Sequence, residues 1–119
     1  MEALMRELMI VLKAVADKNR MRILKMLEEK SMCVCELAAV LGIKQPSVSK
    51  HLAILKNAGL IQDERSGQWI EYSPCYARIN EYAPLLQASL KKWLNDDPLI
   101  VSDREKAKTL NRLEICKKD

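Results

Sequence analysis

The residues most suited to chemistry are two cysteines one residue apart, Cys33 and Cys35. Thiolates are soft donors that select thiophilic ions. In a regular helix, side chains two positions apart point about 200° apart. The two sulfurs can therefore share an ion only if Cys33 caps the helix from outside, and we expect this to distort or unwind the first turn. Such a site would make ion capture incompatible with an intact helix start.

The elements that must position these cysteines are mostly helices. Apolar residues recur at helical spacing, and capping residues, prolines and glycines mark the ends. The predicted helices are a first over about 3–16, a second capped by Asp17, a third from about 32–34 to Gly42, a fourth from Gln45 to Gly59, a fifth over 78–95, and a sixth over about 103–117 that begins with a capping box at Ser102.

Helices three and four are joined by a three-residue turn at 42–44, which predicts a helix-turn-helix. Residues 60–65 and 68–72 then alternate as two strands around Ser66-Gly67, and Pro74 should end the second strand. A hairpin directly after a helix-turn-helix is a wing. The predicted fold class is mainly α with a small β-hairpin, a winged helix-turn-helix that forms a homodimer.

The exposed start of the fourth helix predicts a surface that reads double-stranded DNA, because the N-terminal residues of a recognition helix reach base edges in the major groove. Glutamine pairs with adenine, and serine and lysine contact bases or phosphates. Arg65 at the wing tip is placed to meet the backbone or minor groove, whereas His51 lies at the apolar edge and suits a structural role equally well. The predicted DNA-binding residues are Gln45, Ser47, Ser49, Lys50, His51 and Arg65.

Residues 16–73 resemble the arsenic-repressor (ArsR/SmtB) family of winged-helix metalloregulators. The matching stretches are Ala16–Leu24, Gln45–Leu52 and Leu55–Ile61. The resemblance implies a dimeric repressor that leaves its operator DNA when a metal or metalloid binds. It also implies that a Cys-x-Cys pair in this helix is typical of As(III) and Sb(III) sensors and of some Cd(II) and Pb(II) sensors.

The chain departs from the patterns of the family it resembles. Ala38 stands where arsenic sensors of this type often carry a third cysteine, residues 1–31 lack the cysteines of the cadmium and lead type, and the single histidine excludes the family's His-rich zinc site. Trivalent arsenic prefers three sulfurs. We favour Cys116 as the third ligand, while Cys75, or water or a small thiol on two thiolates, stays open. A helix N-terminus should also lower the cysteine pKa.

Two predicted helices carry more apolar surface than one core needs. They are the first, with Leu4, Leu8 and Val11, and the fifth, with Leu86, Leu90 and Trp93. The resemblance places the dimer interface there. We divide the chain into a DNA-binding and dimerisation domain, 1–95, and a helical C-terminal extension, 96–119.

Composition narrows the function classes. The 119 residues include 49% hydrophobic and 30% charged residues, with a net charge of +4 that permits a nucleic-acid partner without demanding one. No apolar run approaches the ~20 residues that cross a bilayer, and no signal-peptide pattern is present. We expect a cytoplasmic protein with no membrane partner and no permanent cofactor.

Other functions remain open from the sequence alone. A redox-sensing repressor could use Cys33 and another thiol, and because an i, i+2 disulfide would be strained, we expect Cys33 and Cys35 to pair with a distant partner rather than with each other. A winged-helix module that binds only proteins would lack salt-dependent affinity for DNA. We do not expect an enzyme, because no general base and no Cys-x-x-Cys after a strand accompany the cysteines.

Overall fold

The computed structural model describes residues 2–116, without the side chain of Glu2. The elements are α1 Glu2–Val15, α2 Lys18–Leu27, α3 Val34–Leu41, α4 Gln45–Asn57, β1 Ile61–Ser66, β2 Trp69–Pro74, α5 Ala83–Leu90, α6 Pro98–Thr109 and α7 Arg112–Ile115. Helices around one antiparallel hairpin confirm the predicted fold class. Met1 and residues 117–119 lie outside the described residues. The start of the first predicted domain, the end of the second and the last residue of the predicted sixth helix therefore fall there. In the part of the chain that is described, no helix is long and apolar enough to span a membrane.

The helix-turn-helix is built on a tightly buried interior. Gly42 ends α3 with φ +70°, a left-handed conformation that a side chain would strain. Leu37 of α3 and Leu52 and Leu55 of α4 are at most 1% exposed. Burial of such leucines is the main stabilising term for a helix pair. It fixes α4 with its polar N-terminal face outward.

The wing is joined to the start of α3. Strands β1 and β2 pair antiparallel, with Gln62 opposite Ser73 and Ser66 opposite Trp69. Pro74 is the last residue of β2, at the end of the ladder. Met32 forms a two-way backbone bridge with Tyr72, its N–H donating to Tyr72 at 3.1 Å and its carbonyl accepting from Tyr72 at 2.8 Å. This bridge places the following residue, Cys33, directly beside the wing.

The predicted fifth helix over 78–95 is wrong in length, since α5 covers only Ala83–Leu90. The Asn80 amide donates to the Glu7 carbonyl at 3.0 Å, and its oxygen accepts from the Tyr82 N–H at 2.8 Å. Pro84 then occupies the first turn of the helix, where a missing N–H costs least. One of these bonds ties Asn80 to α1 and the other closes a local turn at Tyr82, so the residues before Ala83 stay outside the helix.

The predicted helix over 103–117, with Ser102 as its cap, is also wrong. Helix α6 begins at Pro98, because the Asp97 carboxylate accepts from the N–H groups of Leu99 at 2.9 Å and Ile100 at 3.3 Å. Ser102 lies inside α6. The helix ends at Thr109, and Asn111 caps the separate short helix α7.

A buried ion pair docks α6 on α2. The Asp103 carboxylate, with its side chain 1% exposed, accepts from Arg22 at 2.8 and 2.9 Å. Arg104 adds a second link, donating to the Lys25 carbonyl and to the Glu28 carboxylate. The C-terminal helices therefore fold back on their own protomer and carry α7 to the start of α3.

Candidate functional site

The first turn of α3 is regular and closed by its own side chains. Cys33 is the N-cap in extended conformation, with φ −94° and ψ 170°. Its N–H donates to the Glu36 carboxylate at 3.0 Å, and its carbonyl accepts from Leu37 at 3.1 Å. The Glu36 N–H is directed back at the Cys33 sulfur. The arrangement is a capping box with a thiol in the usual place of a hydroxyl.

Three sulfurs meet at this turn. The Cys33 sulfur lies 3.1 Å from that of Cys35 and 3.6 Å from that of Cys116, and Cys35 and Cys116 are joined as a disulfide. All three sulfurs lie within 4.8 Å of one another. Sulfurs that each bind one ion at about 2.3 Å are at most about 4.6 Å apart. In the reduced protein the three thiols are therefore within reach of a single soft ion.

The expectation that the sulfurs converge only when the helix start unwinds is wrong. Cys33 and Cys35 approach to 3.1 Å while the capping box and the first helical hydrogen bond are intact. The extended backbone at the N-cap turns the Cys33 side chain toward the side on which Cys35 lies, so the helical angle of about 200° does not apply. Release of DNA by unwinding of α3 has no basis in this geometry.

The electrostatics of Cys33 also differ from the expectation. Burial raises the pKa of the Cys33 thiol, and the adjacent Glu36 carboxylate adds to the rise, although the Glu36 N–H lowers it. The predicted lowering by the helix N-terminus is therefore wrong for this residue. Burial alone would raise the pKa of Glu36, but the Cys33 N–H and the Arg112 guanidinium lower it overall. Cys33 carries its proton at neutral pH beside an ionised carboxylate.

Sequence reasoning missed two residues that hold the site together. Glu36, 2% exposed, accepts from Arg112 at 2.8 and 3.2 Å, and Arg112 lies on the same short helix that leads to Cys116. The spacing Cys33-x-x-Glu36 could have identified the carboxylate, because it matches a capping box with cysteine in place of serine. No sequence signal pairs Arg112 with it, since they are 76 residues apart.

A cavity of about 300 Å³ adjoins the sulfurs. Trp69 and Tyr72 of the wing, Ile115 of α7 and Gln45 at the start of α4 line it together with the cysteines. The thiol site therefore lies where α3, the wing, the C-terminal arm and the recognition helix meet. Cys75 is not part of this cluster. It is buried after the wing, and its N–H donates to the Leu60 carbonyl at 3.0 Å.

The predicted DNA-reading residues lie where the fold exposes them. Gln45, Ser47, Ser49 and Lys50 are all exposed at the start of α4, and Arg65 is exposed beside the wing turn. The four α4 residues lie at an exposed helix N-terminus, as expected for a groove-reading element, and their contact with DNA stays a prediction.

His51 differs from the other predicted DNA contacts. It is half-buried, and its Nδ1 lies 3.1 Å from the Arg20 guanidinium, which also donates to the Ala14 carbonyl at 2.7 Å. Since arginine can only donate, Nδ1 accepts. His51 thus links α4 to the junction of α1 and α2, and its contact with DNA stays a prediction.

Removal of the Lys50 side chain should weaken DNA binding without affecting the fold, because Lys50 is exposed on the polar face of α4. We expect Lys50→Ala to cost about 1–3 kcal/mol of operator affinity if the ammonium reads a base. Lys106→Ala, at an exposed lysine of α6, is the charge-matched control. Fluorescence anisotropy on labelled duplexes measures both, and equal affinities for the two variants would remove Lys50 from the interface.

A helix-turn-helix followed by a two-stranded wing defines a winged helix-turn-helix DNA-binding regulator. The family described as "Bacterial regulatory protein, arsR family" matches residues 17–63. The chain is 38% identical over 111 residues to the "Arsenic resistance transcriptional regulator ArsR1" of Pseudomonas putida, a match that covers 83% of each protein. This chain belongs to the arsR family of bacterial transcriptional regulators.

Solved structures agree with this assignment. The transcriptional repressor BigR from Xylella fastidiosa aligns with a TM-score of 0.66 at 26% identity, covering 82% of this chain and 93% of BigR. The homodimeric winged helix-turn-helix domain Mb0332 from Mycobacterium bovis aligns with a TM-score of 0.64 at 27% identity, covering 76% and 81%. The fold and the family are those of transcriptional regulators that bind DNA.

Proposed function

We propose that this protein is a metalloid-responsive repressor that binds operator DNA as a homodimer and dissociates when As(III) or Sb(III) binds Cys33, Cys35 and Cys116. The observation that carries the proposal is the convergence of these three sulfurs at the start of α3. The arsenic-resistance function named for the Pseudomonas putida relative supports the choice of ion.

The ion chemistry requires the reduced chain. Uncharged arsenous acid condenses with three thiols to form three As–S bonds and three molecules of water, with no change in oxidation state and no net release of protons. Thiolate ligands favour soft ions, and a set of three cysteines of which two are buried and one is half-buried excludes most water from the coordination sphere. We place the protein in the cytoplasm, where thiols are kept reduced.

Dimerisation is proposed through α1 and α5. Val11 and Leu90, which were predicted to be surplus to one core, are buried in the core of the protomer at 1% and 3% exposed. The outer faces nevertheless keep other large side chains in water, with Leu4 49%, Met5 64% and Leu85 69% exposed, and Trp93 after α5 54% exposed. Exposed apolar surface of this extent marks an interaction site. The description of the Mycobacterium bovis domain as homodimeric supports dimerisation as such. A two-fold dimer would set the two α4 helices roughly 34 Å apart, one turn of DNA.

The Cys35–Cys116 bond favours a second candidate, a thiol redox switch. Oxidation by a peroxide would join the two thiols and reduce the peroxide to water, with two electrons and two protons leaving the thiols. Cys35 pairs with a distant thiol and not with Cys33, as expected, but Cys33 itself stays a free thiol in this structure. Oxidation and ion capture would then be mutually exclusive, since the disulfide consumes two of the three ligands.

The pH dependence of binding should separate arsenite from cadmium. Burial raises the pKa of the Cys33 thiol, so Cd(II) must displace a proton from it at neutral pH, whereas arsenous acid binds with loss of water. From about pH 6 to about pH 8 the Cd(II) affinity should rise about tenfold per pH unit for each proton displaced, and the arsenite affinity should stay constant within about threefold. Calorimetric titration at three pH values measures both, and a steep rise for arsenite would contradict the three-thiol condensation.

The deciding experiment titrates arsenite, antimonite, Cd(II), Pb(II) and Zn(II) into the reduced protein bound to DNA. The duplex is selected from a random pool by ion-free protein, and each cysteine is replaced by serine in turn. Release by arsenite or antimonite that needs Cys33, Cys35 and Cys116 supports the proposal. Release by Cd(II) or Pb(II) alone would favour the other class of sensor. Release by peroxide alone would favour the redox switch, and absence of salt-dependent DNA binding would favour a protein-interaction module.

A further inference from the structure

Arg112 at the start of α7 and Cys116 just after its end both contact the first turn of α3. Arg112 and Cys116 are four residues apart, and the Cys116 N–H donates to the Arg112 carbonyl at 2.9 Å, so both side chains lie on one face. Cys116 meets the sulfurs of Cys33 and Cys35, and Arg112 meets Glu36. A helix of four residues has no stability of its own. Its position therefore depends on contacts with the rest of the protein, and these two attachments hold it on α3.

Arg112 is also attached to the wing. One of its nitrogens donates to the Glu71 carboxylate at 2.8 Å, and its guanidinium carbon lies 5.3 Å from the centre of the Trp69 ring. Both residues belong to β2. A planar guanidinium can bind two carboxylates and stack on an aromatic face at once, whereas a lysine ammonium cannot. Arg112 thus joins α3, α7 and the wing in a single set of contacts.

The wing needs this cation for electrostatic reasons. Glu71 lies directly opposite Glu64 in the hairpin register. Like charges at facing positions of an antiparallel pair destabilise it. Arg112 offsets the charge of Glu71 only while α7 is docked, so docking stabilises the hairpin and restrains it in the arrangement described here.

At the thiol site, the Cys33 backbone and the Arg112 side chain share one acceptor oxygen of Glu36. Glu36 Oε1 accepts from the Cys33 N–H at 3.0 Å and from Arg112 at 2.8 Å. The backbone of one sulfur ligand, Cys33, is therefore held by the carboxylate that holds Arg112. Lys30 lies 3.8 Å from the other oxygen, so Glu36 keeps a cationic neighbour when Arg112 is replaced.

We propose that Arg112 is the positioning residue that transmits occupancy of the thiol site to the wing. An ion that joins Cys116 to Cys33 and Cys35 holds α7 on α3, and Arg112 then holds Glu71 and Trp69. With free thiols α7 can leave, and the wing is released to fit DNA. This inference rests on the proposed function and names how the same site is regulated. It also replaces unwinding of α3 as the route by which ion capture lowers DNA affinity.

The test compares Arg112→Gln, Arg112→Lys and Glu71→Gln with Lys108→Gln. Lys108 lies in the same C-terminal arm and carries the same charge, and its side chain is 63% exposed. Arsenite binding is followed without DNA by the ultraviolet absorption of arsenic–sulfur bonds, and duplex affinity is measured without arsenite and at saturation. In wild type we expect arsenite to lower duplex affinity by about 5–150-fold. In the Arg112 and Glu71 variants we expect arsenite to lower duplex affinity by about twofold or less. The ultraviolet absorption confirms that each variant is saturated with arsenite in this measurement.

Hydrogen exchange gives a readout that a purely structural role would not change. Arsenite should slow exchange of the amides of β1 and β2 in wild type and in Lys108→Gln, but not in Glu71→Gln, where the thiol side of the contact set is unaltered. If Arg112→Gln binds no arsenite, the response of Glu71→Gln alone decides whether Arg112 couples the thiol site to the wing.

Each outcome has a distinct meaning. Full arsenite response in Glu71→Gln would overturn the inference, as would an equal loss of response in Lys108→Gln. If wild type itself ignores arsenite, the proposed function fails and the coupling role fails with it. If wild type responds and only the variants on the Arg112–Glu71 contact lose the response, both stand.

Discussion

Replacement of Cys33 by serine should abolish arsenite-induced release of DNA and leave helix α3 intact. Serine is among the best N-cap residues, and the Glu36 N–H that is directed at the Cys33 sulfur can donate to its hydroxyl instead. The variant therefore loses a soft ligand without losing the cap. We expect the ion-dependent change in duplex affinity, about 5–150-fold in wild type, to fall to nearly none.

The matched control for this experiment is Cys75→Ser. Cys75 is as buried as Cys33, each being 2% exposed, but lies outside the sulfur cluster. Duplex affinity is measured by anisotropy with and without arsenite, and circular dichroism checks the helix content of both variants. Retention of release in Cys33→Ser, or its loss in Cys75→Ser, would remove Cys33 from the ion site.

The sequence predicted the helix-turn-helix and wing well because their signals are local. Gly42 ends α3, and Pro46 lies in the first turn of α4. The hairpin turns at Gly67-Gln68, one residue later than the predicted Ser66-Gly67, because Ser66 pairs with Trp69 as the last residue of β1. Each boundary is therefore encoded by residues within a few positions of it. The polar face of α4 follows from the burial of its apolar face, which helical periodicity specifies.

The C-terminal half was predicted poorly because competing local signals had to be ranked. Ser102 with Glu105 has the form of a capping box, yet Asp97 followed by Pro98 starts the helix five residues earlier. A carboxylate cap before proline satisfies two N–H groups, and the buried pair of Asp103 with Arg22 then fixes the helix on α2. That pairing spans 81 residues and has no signature in either segment.

The sequence singled out the three cysteines of the candidate site but not their geometry. The preference of arsenic for three sulfurs, and a break at 95–98 that could let the C-terminal arm fold back, favoured Cys116. The structure brings its sulfur to those of Cys33 and Cys35, and its role as a ligand stays a prediction. We expected that Cys33 and Cys35 could not share an ion while the helix start is intact, because side chains two positions apart in a regular helix point about 200° apart. The N-cap residue has extended backbone torsions, and one extended residue is enough to bring the sulfurs together.

Loss of the Asp103 carboxylate should be the most destabilising single change on the C-terminal arm. The side chain of Asp103 is 1% exposed and that of Arg22 is 13% exposed, and the two share hydrogen bonds of 2.8 and 2.9 Å. Asp103→Ala leaves a desolvated guanidinium without its anion, which typically costs about 3–5 kcal/mol. Because domains of this size are stable by only about 5–15 kcal/mol, the variant should unfold at much lower urea concentration.

Two comparisons separate the buried charge from lost packing. Asp63→Ala breaks the exposed pair with Lys56 and should leave the urea midpoint nearly unchanged, because surface pairs contribute little. The double variant Arg22→Met with Asp103→Leu removes both charges and should recover much of the stability lost in Asp103→Ala. If the double variant is as unstable as the single one, packing between α6 and α2 dominates. If the double variant is stable, it should also keep the arsenite response, because α6 then still delivers Arg112 and Cys116 to the start of α3.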